Sequence, residues 1–191
     1  AEAIVLGIDK YRFLSGYPDK TFKGEGKPTR YEIAVILYKL MTLVEKDLKK
    51  PFSGGNSSKI TFERMSERNG GDIPTGHWAE ASIQTVVDKY GIMSGFIDST
   101  FKGKETITRY EFGVSCARIM QGFGLPKTGE TERFLEKNGG DIPDQHWFVS
   151  ALGYATSVMK VSDGNQFLGK ESLNRYEMAY ALVNIVQLLE Q

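Results

Sequence analysis

The sequence predicts an all-α protein built from three helix-loop-helix repeats, and three observations carry this prediction. The hexapeptide ITRYEF at residues 107–112 has two close relatives in the chain, PTRYEI at 28–33 and LNRYEM at 173–178. The segment Gly-Asp-Ile-Pro, followed by His-Trp, starts at Gly71 and again at Gly140. An apolar stripe with helical spacing follows each hexapeptide. Repetition of this kind is the signature of a repeat architecture.

The second helix of each repeat carries a stripe with the spacing i, i+4, i+7, i+11, which predicts one buried face per helix. The three stripes are Ile33, Leu37, Leu40 and Val44; Phe112, Cys116, Ile119 and Phe123; and Met178, Leu182, Ile185 and Leu189. The first helix of the second repeat has its own stripe at Ala79, Ile83, Val86, Val87 and Tyr90. Because a single helical hairpin cannot bury such faces alone, the three repeats must pack against one another.

The repeats divide the chain into five segments. These are repeat 1 at 1–50, a linker at 51–70, repeat 2 at 71–123, a linker at 124–139 and repeat 3 at 140–191. Both linkers are polar, which predicts surface crossings from one repeat to the next and not independent domains. Each linker approaches its repeat through Asn-Gly-Gly, which predicts a short helix capped by glycine. Repeat 1 lacks the opening seen in the other two, so we expect the natural protein to continue upstream with a similar Asp-Pro-Trp segment, preceded by a signal peptide.

Composition excludes several classes of function. Lys and Arg number 24 and so do Asp and Glu, so the chain lacks the basic excess of a nucleic-acid binder. The single cysteine, Cys116, cannot form an intramolecular disulfide or a cysteine-based zinc site, and no apolar run is long enough for membrane insertion. His77 and His146 lack further converging ligands, so no metal or other cofactor is predicted. No phosphate-binding glycine loop or nucleophile motif is present, which argues against an enzyme.

The repeated hexapeptide contains a helix-capping pattern. Ser, Thr or Asn followed three residues later by Glu is typical of the capping box, in which each side chain satisfies an N–H group of the first turn. The three pairs are Thr29 and Glu32, Thr108 and Glu111, and Asn174 and Glu177. These residues predict where the second helix of each repeat begins.

The capping box does not explain the arginine in its middle. Arg30, Arg109 and Arg175 occupy the first helical position, where the helix dipole disfavours a cation. One interpretation is that a bound anion lies at this helix start. The other is that each arginine forms an internal pair with a nearby carboxylate, such as Asp72 or Asp141. The residues alone leave both interpretations open.

The motifs together resemble a known family. The order Asp-Ile-Pro and His-Trp, then Gly-Tyr-Pro-Asp-Lys-Thr-Phe at 16–22, then Thr-Arg-Tyr-Glu at 29–32, is similar to the S-layer homology (SLH) domain. The resemblance covers the three repeats but not the linkers. It implies a pseudo-threefold helical bundle with grooves between adjacent repeats.

The resemblance also implies a function and a set of site residues. SLH triplets anchor surface proteins without covalent bonds to carbohydrate of the bacterial cell envelope, either a pyruvylated secondary polymer or peptidoglycan. Further domains of the same protein would make the whole an S-layer protein, an outer-membrane protein or a surface enzyme. The family's ligand-contacting residues map onto Arg30, Arg109, Arg175, Trp78, Trp147, Asp72 and Asp141.

Some residues keep alternative interpretations. Trp78 and Trp147 either stack on sugar rings or anchor the core at the start of an amphipathic helix. The loop at 161–167 departs from the family pattern and Asn174 replaces threonine, so the groove of repeat 3 is expected to be degenerate or differently tuned. The rival function is a structural or assembly module whose arginines form internal salt bridges or bind a protein partner.

Overall fold

The computed structural model describes residues 2–55, 60–161 and 164–191. Within these ranges the regular structure is helical, and extended segments pair only through isolated bridges and not in a sheet. The all-α prediction is therefore confirmed. The expectations for residue 1, for positions 56–59 of the first linker and for loop residues 162 and 163 lie outside the described residues.

Each repeat contributes a first helix and a longer second helix. The α-helices are α1 (Glu2–Val5), α2 (Arg30–Lys46), α3 (Phe62–Met65), α4 (Glu80–Gln84), α5 (Arg109–Gly122), α6 (Val149–Val158) and α7 (Arg175–Glu190). Single π-helical turns, Leu6–Lys10 and Thr85–Lys89, continue α1 and α4. Short 3₁₀ turns lie in the linkers at Glu67–Asn69, Glu132–Phe134 and Glu136–Asn138.

The three long helices α2, α5 and α7 begin as the capping pattern predicts. In each, the side chain of the cap residue accepts the backbone N–H of the glutamate, and that glutamate accepts the N–H of the cap residue. At α5, Thr108 N–H lies 2.9 Å from Glu111 Oε2, and the Thr108 hydroxyl donates to the same oxygen at 2.8 Å. Only Oε2 of Glu111 is used by the cap, which leaves Oε1 for another donor.

The predicted stripes form the core. Every member is buried except Phe123, which is half-buried and lies just past the end of α5, with its ring centroid 5.0 Å from that of Phe52. Cys116 is fully buried among them, and burial raises the pKa of its thiol strongly. A buried thiol with a raised pKa is inert, as expected for a packing residue.

The linkers are not confined to the surface, although their polarity predicts surface crossings. Each inserts apolar side chains into the core, Phe62 and Met65 from the first and Phe134 and Leu135 from the second. The predicted glycine caps are present, since Gly70 and its counterpart in the second linker adopt left-handed φ values of 83° and 81°. The linkers therefore help to fix the repeats relative to one another.

Backbone hydrogen bonds join the repeats in a closed cycle. The first two N–H groups of each long helix donate to carbonyl oxygens in the loop of the next repeat. The pairs are Arg30 to Glu105 and Tyr31 to Gly103, Arg109 to Glu171 and Tyr110 to Gly169, and Arg175 to Gly26 and Tyr176 to Gly24, at 2.9–3.0 Å. Repeat 1 thus binds repeat 2, repeat 2 binds repeat 3, and repeat 3 returns to repeat 1, which is the connectivity of a pseudo-threefold bundle.

A polar cluster closes the bundle where α1 meets the end of α7. Tyr11 O–H donates to Glu190 at 2.7 Å, and Lys10 Nζ donates to the same carboxylate at 2.9 Å. An equivalent cluster joins Lys89 and Tyr90 to Glu45. The hydrogen bonds from Tyr11 and Lys10 lower the pKa of the Glu190 carboxyl below its ordinary value of 4.5.

Acidification should weaken this contact. Because the folded-state pKa of Glu190 is depressed, its stabilisation is present above the unfolded value of 4.5 and is lost as pH falls through the folded value. We expect the Glu190→Gln variant to show a smaller fall in Tm between pH 5 and pH 3 than the parent, by no more than about 2–4 °C. Thermal unfolding followed by circular dichroism at each pH measures this, and identical slopes would contradict it.

Candidate functional site

The motif arginines are buried and connect neighbouring repeats. Arg30 is 4% exposed, and its side chain forms three hydrogen bonds, all with residues of repeat 2. Its Nε donates to the Phe101 carbonyl at 2.8 Å, one terminal nitrogen donates to the Ser94 carbonyl at 2.8 Å, and the other pairs with Glu111 Oε1 at 2.7 Å. Burial lowers the pKa of Arg30 from its ordinary value, although Glu111 opposes this. The guanidinium thus occupies the carboxylate oxygen that the capping box leaves unused.

The other two arginines repeat this arrangement around the cycle. Arg109 donates to the Phe167 carbonyl at 2.8 Å, to the Lys160 carbonyl at 3.2 Å and to Glu177. Arg175 donates to the carbonyls of Phe22 and Ser15, both at 2.9 Å. Each arginine therefore holds the loop of the following repeat.

The structure corrects two parts of the interpretation of these arginines. Arg30 and Arg109 pair with Glu111 and Glu177 and not with Asp72 or Asp141, and among the described residues Arg175 forms no ion pair. The first N–H groups of the long helices are also not open to an anion, because they already donate to backbone carbonyls of the next repeat and to the cap side chains. The physical reason is the same for both corrections. The helix starts lie at the contacts between repeats, where the neighbouring loop supplies the acceptors.

Asp72 and Asp141 hold the loop from another side. The two oxygens of Asp72 accept the N–H groups of Phe101 at 2.6 Å and Lys102 at 2.7 Å. Lys102 adopts a φ of 53°, an uncommon left-handed value for a residue with a side chain. Asp141 holds the equivalent loop of repeat 3 in the same way. Among the described residues, neither carboxylate lines a groove that contains a motif arginine.

The tyrosine of each motif fills the contact between repeats. Tyr31 is 5% exposed, and its ring centroid lies 4.1 Å from that of His77. A Cβ atom on Gly103 would lie 1.9 Å from Cε1 of Tyr31, so only glycine fits beneath the ring. Tyr110 has the same relation to His146 and Gly169. Sequence reasoning missed this pairing, although both the tyrosine and the glycine recur in all three repeats.

Trp78 and Trp147 are exposed and do not anchor the core. Their exposed fractions are 64% and 61%. The core positions at these helix starts are taken instead by the next residues, Ala79 and Phe148, which are fully buried. The core-anchor interpretation is therefore wrong for both tryptophans, and each indole is available to a ligand.

Each exposed tryptophan lies at a groove formed by a motif arginine. The Trp147 groove has a volume of about 250 Å³ and is lined by Arg30, Ser94, Phe96, Glu111, Arg118 and Trp147, among others. The Trp78 groove has a volume of about 280 Å³ and is lined by Arg175, Ser15, Tyr17, Glu32, Lys39 and Trp78, among others. Every residue that lines the Trp78 groove has its repeat counterpart in the lining of the Trp147 groove. The grooves are therefore related by the pseudo-threefold symmetry.

The third groove differs from these two. The Tyr180 groove, of about 600 Å³, is lined by residues that include Arg109, Lys160, Glu177, Tyr180, Ala3 and Glu25. Ala3 belongs to α1, and no tryptophan is among the lining residues described. Tyr180 occupies the position that Val114 and Val35 hold in the other two grooves. The expectation that the loop at 161–167 and Asn174 make the groove of repeat 3 degenerate or differently tuned stays a prediction.

The described part of the chain also bears on metals and membranes. No group of three or more His, Cys, Asp or Glu residues in it is arranged to hold a metal ion. None of its helices has the length and apolar character needed to cross a bilayer. His77 instead accepts the Ala79 N–H through Nδ1 at 3.2 Å, as expected for a residue that braces its own loop.

Comparison with known proteins identifies a family. The model of the S-layer homology domain matches residues 71–112, which run from the opening of repeat 2 into α5. The chain is 31% identical over 175 residues to a cellulosome-anchoring protein of Acetivibrio thermocellus, an alignment that covers 90% of this chain and 34% of the relative.

Two further relatives are surface proteins of other bacteria. The outer membrane protein SlpA of Deinococcus radiodurans is 38% identical over 93 residues, which cover 48% of this chain and 8% of the relative. The S-layer protein EA1 of Bacillus anthracis is 30% identical over 120 residues, which cover 63% of this chain and 13% of the relative. The chain thus spans about a third or less of each of these relatives.

Proposed function

Because this chain belongs to the S-layer homology domain family, we propose that it is a non-covalent anchoring module that binds an anionic glycan of the cell wall in grooves between its repeats. The ligand class is a pyruvylated secondary polymer or peptidoglycan. The family and the relatives place the chain at the surface of the bacterial cell envelope. That it anchors further domains of a longer protein is part of this proposal.

The observation that carries the proposal is the pairing of an exposed indole with a cationic groove floor. Trp147 and Trp78 expose large apolar faces at the mouths of grooves that contain Arg30 and Arg175. A sugar ring offers an apolar face for stacking on an aromatic ring and hydroxyls for polar groups, and a carboxylate substituent seeks a cation. The groove volumes lie just below the range of about 300–1,000 Å³ usual for small-ligand sites, which suits a small saccharide unit.

The motif arginines have a double role in this proposal. A guanidinium carries five N–H groups, and the contacts of Arg30 with the neighbouring repeat use three of them. The remaining donors are available to a ligand in the Trp147 groove, which Arg30 lines. The glycan therefore meets a floor whose charge is held in place by the packing of the repeats.

A second candidate function is a structural or assembly module without a glycan ligand. The observation in its favour is the pair of internal ion bridges, Arg30 with Glu111 and Arg109 with Glu177. These ion pairs would explain Arg30 and Arg109 by their contribution to folding alone. They do not explain the exposed side chains of Trp78 and Trp147, which contribute little to the core.

The two functions separate in a wall-binding experiment on the tryptophans. We expect the chain to pellet with purified cell-wall sacculi that retain their polymers. The Trp78→Ala/Trp147→Ala double variant should lose about 5- to 150-fold in affinity, because stacking on each indole contributes about 0.5–1.5 kcal/mol. Its circular dichroism spectrum should stay unchanged since both side chains are exposed.

The control is Tyr38→Ala, which removes another exposed aromatic residue outside the three grooves. This variant should pellet like the parent. Sacculi stripped of their attached polymers distinguish a secondary polymer from peptidoglycan as the ligand. If the parent chain stays in the supernatant with both preparations, the anchoring function is wrong and the assembly function is favoured.

A further inference from the structure

The residue two helical turns below the capping glutamate differs among the three grooves. Counting seven positions onward from Glu111 gives Arg118, from Glu32 gives Lys39 and from Glu177 gives Asn184. Seven residues bring the chain back to the same helix face, so these side chains lie along the wall that begins at the motif.

Arg118 is a half-buried cation without an acidic partner. It lines the Trp147 groove, and its Nη1 donates to the Ser94 hydroxyl at 2.7 Å. Among the ion pairs of the described residues, none involves Arg118, and no carboxylate lies within 4.0 Å of it. Burial lowers the pKa of its guanidinium, and no neighbouring acid opposes this. A cation in this setting gains from the arrival of an anion.

The equivalent position is a lysine on α2 and an asparagine on α7. Lys39 lines the Trp78 groove, is exposed, and has no carboxylate within ion-pair distance in the described part of the chain. Asn184 is neutral and donates its Nδ2–H to the Val158 carbonyl at 2.9 Å. The third groove therefore has no cation at this position.

The formal charges of the linings separate the grooves in the same way. The Trp147 groove has the cations Arg30 and Arg118 against one acid, Glu111. The Trp78 groove likewise has two cations, Arg175 and Lys39, against Glu32. The Tyr180 groove has two cations, Arg109 and Lys160, balanced by two acids, Glu25 and Glu177. Only the first two linings keep an uncompensated positive charge, and they are the two that have a tryptophan.

We infer that the chain binds two anionic saccharides, one in the Trp147 groove and one in the Trp78 groove, and that Arg118 and Lys39 are the cations that bind their carboxylates. In this arrangement Arg30 and Arg175 mainly join the repeats through the loop carbonyls that they hold, and Arg30 is also paired with the capping glutamate Glu111. No site is assigned to the Tyr180 groove, because Asn184 holds the position of Arg118 and Lys39 there and is neutral. This inference rests on the proposed function and names its specificity-determining residues.

The test is a calorimetric titration of the chain with a monosaccharide that carries a pyruvate ketal, together with the methyl ester of the same compound. We expect two sites per chain for the acid. The neutral ester should bind at least about tenfold more weakly, because at each site the cation then meets a neutral ester group in place of a carboxylate. Three sites per chain, or equal affinity for acid and ester, would overturn the inference.

Variants assign the two sites. Arg118→Gln and Lys39→Gln should each leave one site, and the double variant should lose binding at both by at least about tenfold. Arg118→Lys keeps the charge and should retain two sites. Lys46→Gln removes one positive charge from the exposed end of α2, outside all three grooves, and should behave like the parent chain. If the double variant binds the acid as the parent does, Arg118 and Lys39 are not the carboxylate ligands.

The sacculus assay keeps the two proposals apart. Parent chain that pellets with sacculi, together with a double variant that pellets equally well, leaves the anchoring function standing and refutes the role of Arg118 and Lys39. Parent chain that neither pellets nor binds the ketal refutes both. Unfolding midpoints of all variants should lie within a few degrees of the parent, because both side chains lie at the groove surface.

Discussion

Replacing Arg109 with alanine is expected to lower the free energy of unfolding by about 3–5 kcal/mol. The side chain is 8% exposed, and its removal leaves the partner Glu177 without a cation and the carbonyls of Phe167 and Lys160 without a donor. A mostly buried charge and carbonyl groups that lose their partner are costly. Urea unfolding followed by circular dichroism measures the loss.

Two comparisons show whether the loss comes from the contact between repeats. Arg68→Ala removes an exposed arginine side chain that donates to the Thr75 hydroxyl, and should cost no more than about 0.5 kcal/mol. In a double-mutant cycle with Glu177→Gln, the effects of the two changes should fall short of additivity by about 1–3 kcal/mol. A loss below about 1 kcal/mol for Arg109→Ala would mean that the buried pair contributes no more than a surface one.

Replacing Gly103 with alanine is expected to cost about 1–3 kcal/mol, at the upper end of that range. The added Cβ would lie 1.9 Å from the ring of Tyr31, which is 5% exposed and held against His77. The ring therefore cannot move aside without opening the contact between repeats 1 and 2. Thermal or urea unfolding of the variant tests this.

Gly24→Ala is the matched control. Its Cβ would lie 2.0 Å from the ring of Tyr176, a similar overlap, but Tyr176 is 46% exposed and is free to rotate into solvent. Neither glycine has a positive φ, so backbone strain does not enter the comparison. We expect Gly24→Ala to cost clearly less than Gly103→Ala, and equal costs would show that burial of the tyrosine does not decide the effect.

The parts of the structure that could be predicted from the sequence are those set by local spacing. The three capping boxes, the buried stripes on α2, α5 and α7, and the glycine caps at Gly70 and Gly139 each depend on residues within a few positions of one another. Repetition made these predictions safer, because the same local pattern occurred several times.

The contacts between repeats could not be predicted in this way. The sequence shows that Arg30 lies at a helix start but not which carboxylate faces it, and Glu111 is 81 residues away. Whether Trp78 or its neighbour is buried could not be predicted either. Ala79 occupies the core position, and the indole of Trp78 is exposed. The role of Arg118 could not be predicted from the sequence, because it depends on a groove wall that forms only when the repeats pack together.

The central claim is that the grooves beside the two tryptophans bind the wall glycan, and the chain offers a direct probe of it. Its only two tryptophans are Trp78 and Trp147, so their indole N–H groups give two resolved NMR signals. Titration with enzymatically released wall fragments that carry the attached polymer should shift both signals saturably. If the chain pellets with sacculi while neither indole signal moves, the wall is bound elsewhere and the account is wrong.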